Sequence, residues 1–482
     1  RMAYEGGDYS RIIDLPYKII PGEVATYRES VFLERAIVEE RLRLAIGLPL
    51  RDMTEHAPVS KGIEESAIAE KYYDPPLVNI IKFACHSCPD NEMRVTDACQ
   101  GCLAHPCKEV CPKDAITIVN GRSVIDKEKC INCGKCANAC PYGAIMKMER
   151  PCAKACGVDA IGSDKLGRAE IDYDKCVSCG MCLVNCPFGA IADKGQIFQV
   201  IHAIKSGIPV YAAVAPAFVG QFGKELTPEK LRAAMKSLGF ADVIEVAVGA
   251  DLCTIEEACD FLKEVPEKQP FMATSCCPAW ASMARKMFPD LAPYISMALT
   301  PMVLTGRLLK KEHPGCKVVF IGPCAAKKLE ASRTEIRSDV DFVLTFEEVM
   351  GMFTAKNIDF SALEKSDDFH DASADGRGFA ASGGVAQAVV NCIKELEPDC
   401  EVKVANAEGL AACRELLSDA AKGKYDGYLL EGMACPGGCV GGAGTMQGPT
   451  KARGLVNITM KKSEKKHSLD SEYREYLSML EE

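Results

Sequence analysis

Three separated motifs hold the side chains best suited to chemistry: Thr274-Ser275-Cys276-Cys277-Pro278-Ala279-Trp280, Gly322-Pro323-Cys324-Ala325-Ala326-Lys327-Lys328-Leu329-Glu330 and Glu431-Gly432-Met433-Ala434-Cys435-Pro436-Gly437-Gly438-Cys439. Cys277, Cys324, Cys435 and Cys439 can supply four thiolates, the full ligand set of a cubane iron-sulfur cluster. The loops are far apart in sequence, so only a folded domain can bring them together, and the cluster would sit deep inside it.

Upstream, sixteen cysteines crowd between Cys85 and Cys186. Cys130, Cys133, Cys136 and Cys140-Pro141 follow Cys-x2-Cys-x2-Cys-x3-Cys-Pro, and Cys176, Cys179, Cys182 and Cys186-Pro187 repeat it. In the bacterial ferredoxin pattern the first three cysteines hold one 4Fe-4S cluster and the fourth reaches the neighbouring one. Cys99, Cys102, Cys107 and Cys111-Pro112 give the first motif its partner, with a slightly longer middle gap. The partner of the second is broken: Cys152 and Cys156 reproduce only the third and fourth positions, and Cys85 and Cys88 are the spare pair that completes it. The sharing rule then gives up to four clusters with no cysteine left over. Cys99, Cys102, Cys107 and Cys140 form one, and Cys130, Cys133, Cys136 and Cys111 its neighbour. Cys176, Cys179, Cys182 and Cys156 form a third, leaving Cys85, Cys88, Cys152 and Cys186 for the fourth. In that last grouping zinc at Cys85 and Cys88, or no ligation there, stays open. Recurring Ala-Ile pairs, at Ala115-Ile116, Ala144-Ile145, Ala160-Ile161 and Ala190-Ile191, mark the strand leaving each half-motif and imply two fused ferredoxin-like units. The block reads as a relay of one-electron carriers, similar to the four-cluster subunits of large oxidoreductases.

The elements that position these motifs change in texture along the chain. Residues 1–80 carry no cysteine, and Ser30 to Ile46 has the spacing of an amphipathic helix with Val31, Leu33, Ala36, Ile37, Leu42 and Leu44 on its apolar face. This segment reads as an arm wrapped on the cluster domains. Residues 81–195 form the ferredoxin-like α+β domain. From 196 to 482, apolar runs such as Val210 to Val219, Val243 to Val248 and Val318 to Ile321 alternate with helical patterns, which predicts an α/β domain with buried, largely parallel strands. The three motifs follow or flank such runs, and strand ends are where α/β domains place their sites.

A chain of 482 residues exceeds one domain, and 48% hydrophobic with 26% charged residues is ordinary globular composition. Twenty-seven cysteines with no secretory signal favour cluster binding in a reducing cytoplasm over a disulfide scaffold, and only 7 His weaken a zinc reading. The longest apolar stretch, Ile208 to Val219, falls short of the roughly 20 residues that span a bilayer, so no membrane association is expected. A net charge of -10 without a basic stripe excludes nucleic acid as a partner. The run Lys461-Lys462-Ser463-Glu464-Lys465-Lys466-His467 reads as a solvated tail. Cys253, Cys259, Cys316, Cys392, Cys400 and Cys413 lack ligand spacing and read as small buried hydrophobes. No Rossmann or flavin fingerprint accompanies them, so direct NAD reduction is not expected.

From about residue 210 to 445 the three motifs resemble the signatures of the iron-only (FeFe) hydrogenases. The resemblance implies a catalytic domain of two α/β lobes around a buried H-cluster. That cofactor is a 4Fe-4S cubane joined through one shared cysteine to a diiron azadithiolate unit with carbonyl and cyanide ligands. Carried over by motif position, Cys277, Cys324 and Cys435 hold the cubane and Cys439 bridges both parts. Cys276 stays free and passes protons, Lys327 hydrogen-bonds a cyanide, Ala215-Pro216-Ala217 is the cyanide-contacting turn with Ala217 at the cofactor, and Met433 packs against the diiron ligands. Lys328 is expected at solvent or in a salt bridge. Gly249-Ala250-Asp251-Leu252 and Glu256-Glu257-Ala258-Cys259-Asp260 resemble the family's acidic helix and Ser296 its relay serine, so protons would pass Cys276, Glu257, Ser296 and Asp260. Two departures stand out. Gly322 replaces a frequent Met, implying a more open diiron pocket and, with the cysteine-rich front end, the group B branch. Asp260 shortens a frequent Glu at the last proton step.

The implied reaction is the reversible conversion of two protons and two electrons to dihydrogen. Its implied partners are a ferredoxin or flavodoxin and the maturation proteins that load the diiron unit. The competing readings are a hydrogenase-like H2 sensor, or an iron-sulfur assembly or electron-transfer protein without turnover. Cys439, Cys276 and Lys327 count against assembly, which needs neither a proton-passing thiol nor a cyanide partner.

Overall fold

Apolar runs buried on both faces become two parallel sheets, as expected of strands covered by helices. In the computed structural model, which describes residues 1–333, 338–366, 369 and 371–480, the first sheet has the strand order Asp242–Glu245, Val210–Val214, Lys317–Gly322, Phe342–Thr345. Val210 lies opposite Lys317 and Tyr211 opposite Asp242. The second sheet has the order Met272–Ala273, Tyr428–Met433, Lys403–Glu408. Ala212, Ala213, Val214, Val318, Val319 and Ile321 have essentially no exposed surface. The carboxyl ends of four of these strands lead directly into the Pro216–Phe218 turn and the three cysteine motifs. The expected α/β class with two lobes is what the chain adopts.

The cysteine block folds as two ferredoxin-like units, one inserted into the other. The inner unit pairs Glu92–Val95 antiparallel to Ile145–Met148 and contains the hairpin of Ile116–Val119 and Arg122–Ile125. The outer unit pairs Val78–Ile80 with Ile191–Asp193 and Ile161–Ser163 with Ala169–Ile171. Cys85 and Cys88 therefore precede the whole inner unit although they belong to the outer one, which is why their partner motif looks broken in sequence.

The arm helix runs Val31–Ala45, with the Ser30 hydroxyl accepting from the Phe32 N–H at 3.2 Å. Its buried face departs from the expected apolar one. Glu34, Glu40 and Arg43 are buried beside Val31, Ile37 and Leu44, while Leu33, Ala36 and Leu42 are only half-buried. Each buried charge meets partners that water would otherwise supply. Glu34 Oε1 accepts the backbone N–H groups of Thr26 and Arg28 at 2.8 Å each, and that of Tyr27 as well. Arg43 donates to the carbonyls of Pro49, Val59 and Lys61 at 2.9, 2.8 and 2.7 Å.

Two further expectations change. The 461–467 run is not a free solvated tail: Lys461, Lys462 and Lys466 are exposed, but Ser463 is buried and accepts from Arg377 Nη1 at 2.6 Å. Just beyond it, Ser468 donates to the buried Asp251 at 3.0 Å. Of the six cysteines without ligand spacing, Cys253, Cys316, Cys392 and Cys413 are buried, whereas Cys259 and Cys400 are half-buried. Among the described residues no helix is long and apolar enough to cross a membrane.

Candidate metal centres and catalytic site

Cys111, Cys130, Cys133 and Cys136 line one cavity of the inner unit, and Cys156, Cys176, Cys179 and Cys182 line one of the outer unit. Both are groupings that the sharing rule assigns. The Cys85, Cys88, Cys152, Cys186 grouping also gathers. The Cys152 thiol is raised to about 11, first by burial and then by the Cys186 and Cys85 sulfurs. Burial raises Cys88 too, with added pushes from Cys85 and Cys186. For the remaining set, Cys107 and Cys140 share the inner unit's core. Among the described residues no three His, Cys, Asp or Glu side chains gather closely enough for a single metal ion. Wider spacing suits a cubane, whose four thiolates sit on different irons.

The Ala-Ile repeats acquire a physical meaning. Ala115, Ala144 and Ala160 each donate a backbone N–H to the cysteine sulfur four residues earlier, Cys111, Cys140 and Cys156, at 3.3, 3.4 and 3.3 Å. All three alanines are buried, so a small side chain lets the strand press against the ligand loop. Hydrogen bonds to sulfur help set a cluster's potential. Arg150, which sequence reasoning missed, is buried and donates to the carbonyls of Cys88, Gly162 and Gly167 at 3.1, 2.8 and 2.8 Å, clamping the outer unit's first ligand loop.

Cys277 caps the helix Pro278–Met287, Cys324 precedes the helix Ala326–Glu330, and Cys435 and Cys439 follow the strand Tyr428–Met433. Cys276, Cys277, Cys324 and Cys439 are half-buried by accessible surface. Desolvation is nevertheless the largest influence on each of these thiols. Burial pushes Cys435 well up, and Cys324, Cys277 and Cys439 push it further. Cys439 is raised to about 12 by burial, with Cys324 and Cys277 adding to it. Four thiols gathered with so little tendency to ionise by themselves suit a cationic iron cluster that would hold them as thiolates.

These cysteines adjoin the outer ferredoxin-like unit, where Cys179 lies close enough to Cys324 and Cys435 to act on them electrostatically. Gly180, between Cys179 and Cys182, has φ 82°, and a Cβ there would lie 2.5 Å from Ala443 Cβ and 3.3 Å from Ala325 Cβ. Glycine permits this approach twice over, by its backbone and by its missing side chain. Across the same boundary, Lys328 is buried and donates to Asp193 at 2.8 Å, Glu348 at 3.1 Å and the Lys194 carbonyl at 3.0 Å. Of its two expected settings it takes the salt bridge.

Lys327 is buried with its ammonium 2.6 Å from Glu330 Oε2 and 3.3 Å from Thr300 Oγ1. Burial pulls this ammonium down, but the charge and hydrogen bond of Glu330 outweigh it and the net shift is upward. Glu330 and Thr300 were missed in the sequence; the i,i+3 spacing of Lys327 and Glu330 was the available signal. Ala217 and Met433 are buried at the strand ends, and Met433 packs in one cluster with Cys253, Cys276 and Cys277. Gly322 does not open the pocket as expected. A Cβ at 322 would lie 2.6 Å from Phe320 Cε1 and 3.2 Å from Ala215 Cβ, so the Phe320 ring already fills that space.

Along the expected proton route, Glu257 is fully buried and its Oε1 accepts the Ser275 N–H at 3.0 Å. The Ser275 hydroxyl is shared between Glu257 Oε1 at 3.3 Å and the Ala298 carbonyl at 3.0 Å. Burial lifts Glu257 to about 7 against the pull of the Ser275 N–H and the Ser296 and Ser275 hydroxyls. Its Oε2 accepts no hydrogen bond of good geometry among the described residues. Burial pushes the Cys276 thiol well up, and Glu257 adds to it. Ser296 is buried, whereas Asp260, which shares the helix Ala247–Glu264 with Glu257, is half-buried with its carboxyl raised by burial. Burial thus falls from Glu257 and Ser296 to Asp260. Ser275 was missed, although it adjoins Cys276.

The fold and the gathered cysteines define an iron-sulfur protein in which ferredoxin-like units adjoin an α/β domain. Residues 208–443 match the iron only hydrogenase large subunit, C-terminal domain. Residues 129–190 match a 4Fe-4S dicluster domain and 99–149 an LdpA Fe-S cluster-binding domain. Iron hydrogenase 1 of Clostridium pasteurianum is 30% identical over 413 residues, which cover 74% of this chain and 71% of that protein. The chain belongs to the iron-only hydrogenase family. It is also similar to the cytosolic Fe-S cluster assembly factor NAR1 of Kluyveromyces lactis, 40% identical over 98 residues, 20% of this chain and 21% of that one. Among solved structures, an apo [FeFe]-hydrogenase HydA1 variant from Chlamydomonas reinhardtii aligns with 24% identity and a TM-score of 0.48, covering 56% of this chain and 89% of that chain.

Proposed function

We propose that the chain is a working FeFe hydrogenase, interconverting protons, electrons and dihydrogen at an H-cluster held by Cys277, Cys324, Cys435 and Cys439, and that it belongs to the group B branch. The observation that carries this reading is the free, desolvated Cys276 beside four gathered thiols, with the buried Glu257 behind it. When bound, the cofactor supplies an open iron site and a bridging amine at which dihydrogen is made or split. The chain's own residues do the rest. Cys276 Sγ holds the proton nearest the reacting atoms, and Glu257, whose carboxyl is raised by burial to about 7, stands behind it as the next proton acceptor and donor. Ser296 and Asp260 continue the route outward. Lys327, kept charged by Glu330, would hold a cyanide ligand through a charge-assisted hydrogen bond. Ala217 and Met433 exclude water. The sixteen cysteines of residues 81–195 would hold up to four 4Fe-4S clusters, which would supply one-electron steps between a ferredoxin or flavodoxin and the domain at 196–482, with the arm at 1–80 bracing them. Maturation proteins load the diiron unit. The unpaired state of all 27 cysteines suits a cytoplasmic setting.

An infrared spectrum of anaerobically matured protein, before and after dihydrogen, tests this. Carbonyl and cyanide bands that shift with the gas are expected. Absence of bands after verified diiron loading would refute it. The similarity to NAR1 favours a second reading, iron-sulfur assembly or electron transfer without turnover; under it the chain would retain cubane iron but display no such bands.

A further inference from the structure

Electrons must arrive somewhere on the surface of the cysteine block, and exposure singles out one place. Cys133 alone among the 27 cysteines is exposed. Beside its three companion sulfurs, the wall of its cavity includes Pro112, Lys113, Ile131 and Lys135, and no carboxylate. Both lysines are exposed, and neither has a carboxylate partner among the described residues. Four of the other five basic residues of the segment are paired, Arg122 with Asp97 at 3.0 Å, Lys127 with Glu92 at 2.8 Å, Lys129 with Asp126 at 3.5 Å and Lys147 with Glu149 at 2.5 Å, and the exposed Lys108 adds a third cation with no carboxylate partner among the described residues. Ile131 is 56% exposed, and Val110, beside the ligand Cys111, is 39% exposed. The local charge also opposes that of the whole molecule. Residues 99–149 contain seven Lys and Arg against five Asp and Glu, in a chain of net charge -10. The cavity of Cys156, Cys176, Cys179 and Cys182 differs, being walled by Val78, Val158, Ala160, Ile161 and Ile171 with no charged side chain.

We propose that Cys133, Lys113, Lys135 and Ile131 form the docking face for a small acidic one-electron carrier protein. The proposal deepens the reading of this chain as an electron-fed hydrogenase and rests on it for the direction of flow. Unpaired lysines steer an acidic partner, and the exposed side chain of Ile131 offers a small apolar contact at the centre. The carrier's centre loses one electron and the cluster held by Cys111, Cys130, Cys133 and Cys136 gains it; no bond is made or broken. Exposure of one ligand sulfur shortens the distance that electron crosses.

The test is the double charge reversal Lys113→Glu with Lys135→Glu in the full, cluster-loaded chain. Binding is titrated with a gallium-substituted acidic bacterial-type ferredoxin, and reduction of the chain's clusters is followed by stopped flow with the native reduced ferredoxin or reduced methyl viologen. Affinity and ferredoxin rate are expected to fall roughly tenfold or more at low salt, with the loss disappearing at high salt and the dye rate not reduced. Unchanged ferredoxin affinity and rate at low salt would overturn the proposal. So would an equal loss with the dye, which would assign the lysines to holding the cluster. Binding and cluster reduction are read without dihydrogen turnover, so a failed hydrogenase reading leaves both results interpretable.

Discussion

Replacing Glu257 by Gln separates the stability cost of a buried acid from its use in moving protons. Gln keeps the size of the side chain and an oxygen for the Ser275 N–H, but it does not ionise. Burial lifts the Glu257 carboxyl from 4.5 to about 7, a difference of about 2.5 pH units that corresponds to about 3 kcal/mol. The sign follows from which state binds the proton more tightly. Below pH 4.5 the group is protonated in both the folded and the unfolded chain and contributes nothing to pH dependence. Between 4.5 and 7 the unfolded chain loses its proton first, so stability falls as pH rises, and above 7 the full cost is present. Asp251, raised to about 7 by burial, titrates over the same range but is common to both proteins and cancels in their difference. Anaerobic denaturant titrations of the two proteins at pH 4.5 and 8 should show Glu257→Gln gaining about 3 kcal/mol on the parent between those values. Dihydrogen evolution from reduced methyl viologen should fall roughly 100-fold or more, as expected when an acid–base group is lost. A stability difference independent of pH would refute the raised carboxyl. Full activity of the variant would remove Glu257 from the proton route.

Three other perturbations probe the supporting structure. Arg150→Met removes the clamp on the Cys88, Gly162 and Gly167 carbonyls, and iron analysis should find about four irons fewer per chain, one cubane's worth. Lys328→Met leaves Asp193 and Glu348 facing each other without their shared cation; the cost should be roughly 3–5 kcal/mol, read as faster hydrogen exchange in Ile191–Asp193 and partly recovered by adding Asp193→Asn. Gly432→Ala would place a methyl 2.2 Å from the Trp280 ring, an overpacking cost of about 1–3 kcal/mol or more. Trp280 is the chain's one tryptophan and fully buried, so a red-shifted emission should report its displacement.

The sequence alone determined the features whose physics is local. Cys-x2-Cys-x2-Cys brings three thiols together within a few residues of backbone, so Cys130, Cys133 and Cys136, and likewise Cys176, Cys179 and Cys182, could be grouped before any fold was known. Strands covered on both faces, such as Val210–Val214 and Lys317–Gly322, are unbroken apolar runs. Ser30 starts the arm helix where its hydroxyl predicts. Tertiary structure decided everything that depends on a partner distant in the chain. Glu34, Glu40 and Arg43 look like a solvated helix face until carbonyls, N–H groups and Arg51 from other segments meet them. Lys328 is bound to Asp193, 135 residues earlier. Gly322 reads as empty space because no one-dimensional pattern shows the Phe320 ring folding back into it. The nesting of one ferredoxin-like unit inside the other explains the split of Cys85 and Cys88 from Cys152. Burial of a charge and occupation of a void are properties of surfaces brought together by folding, and neither is written at a single position.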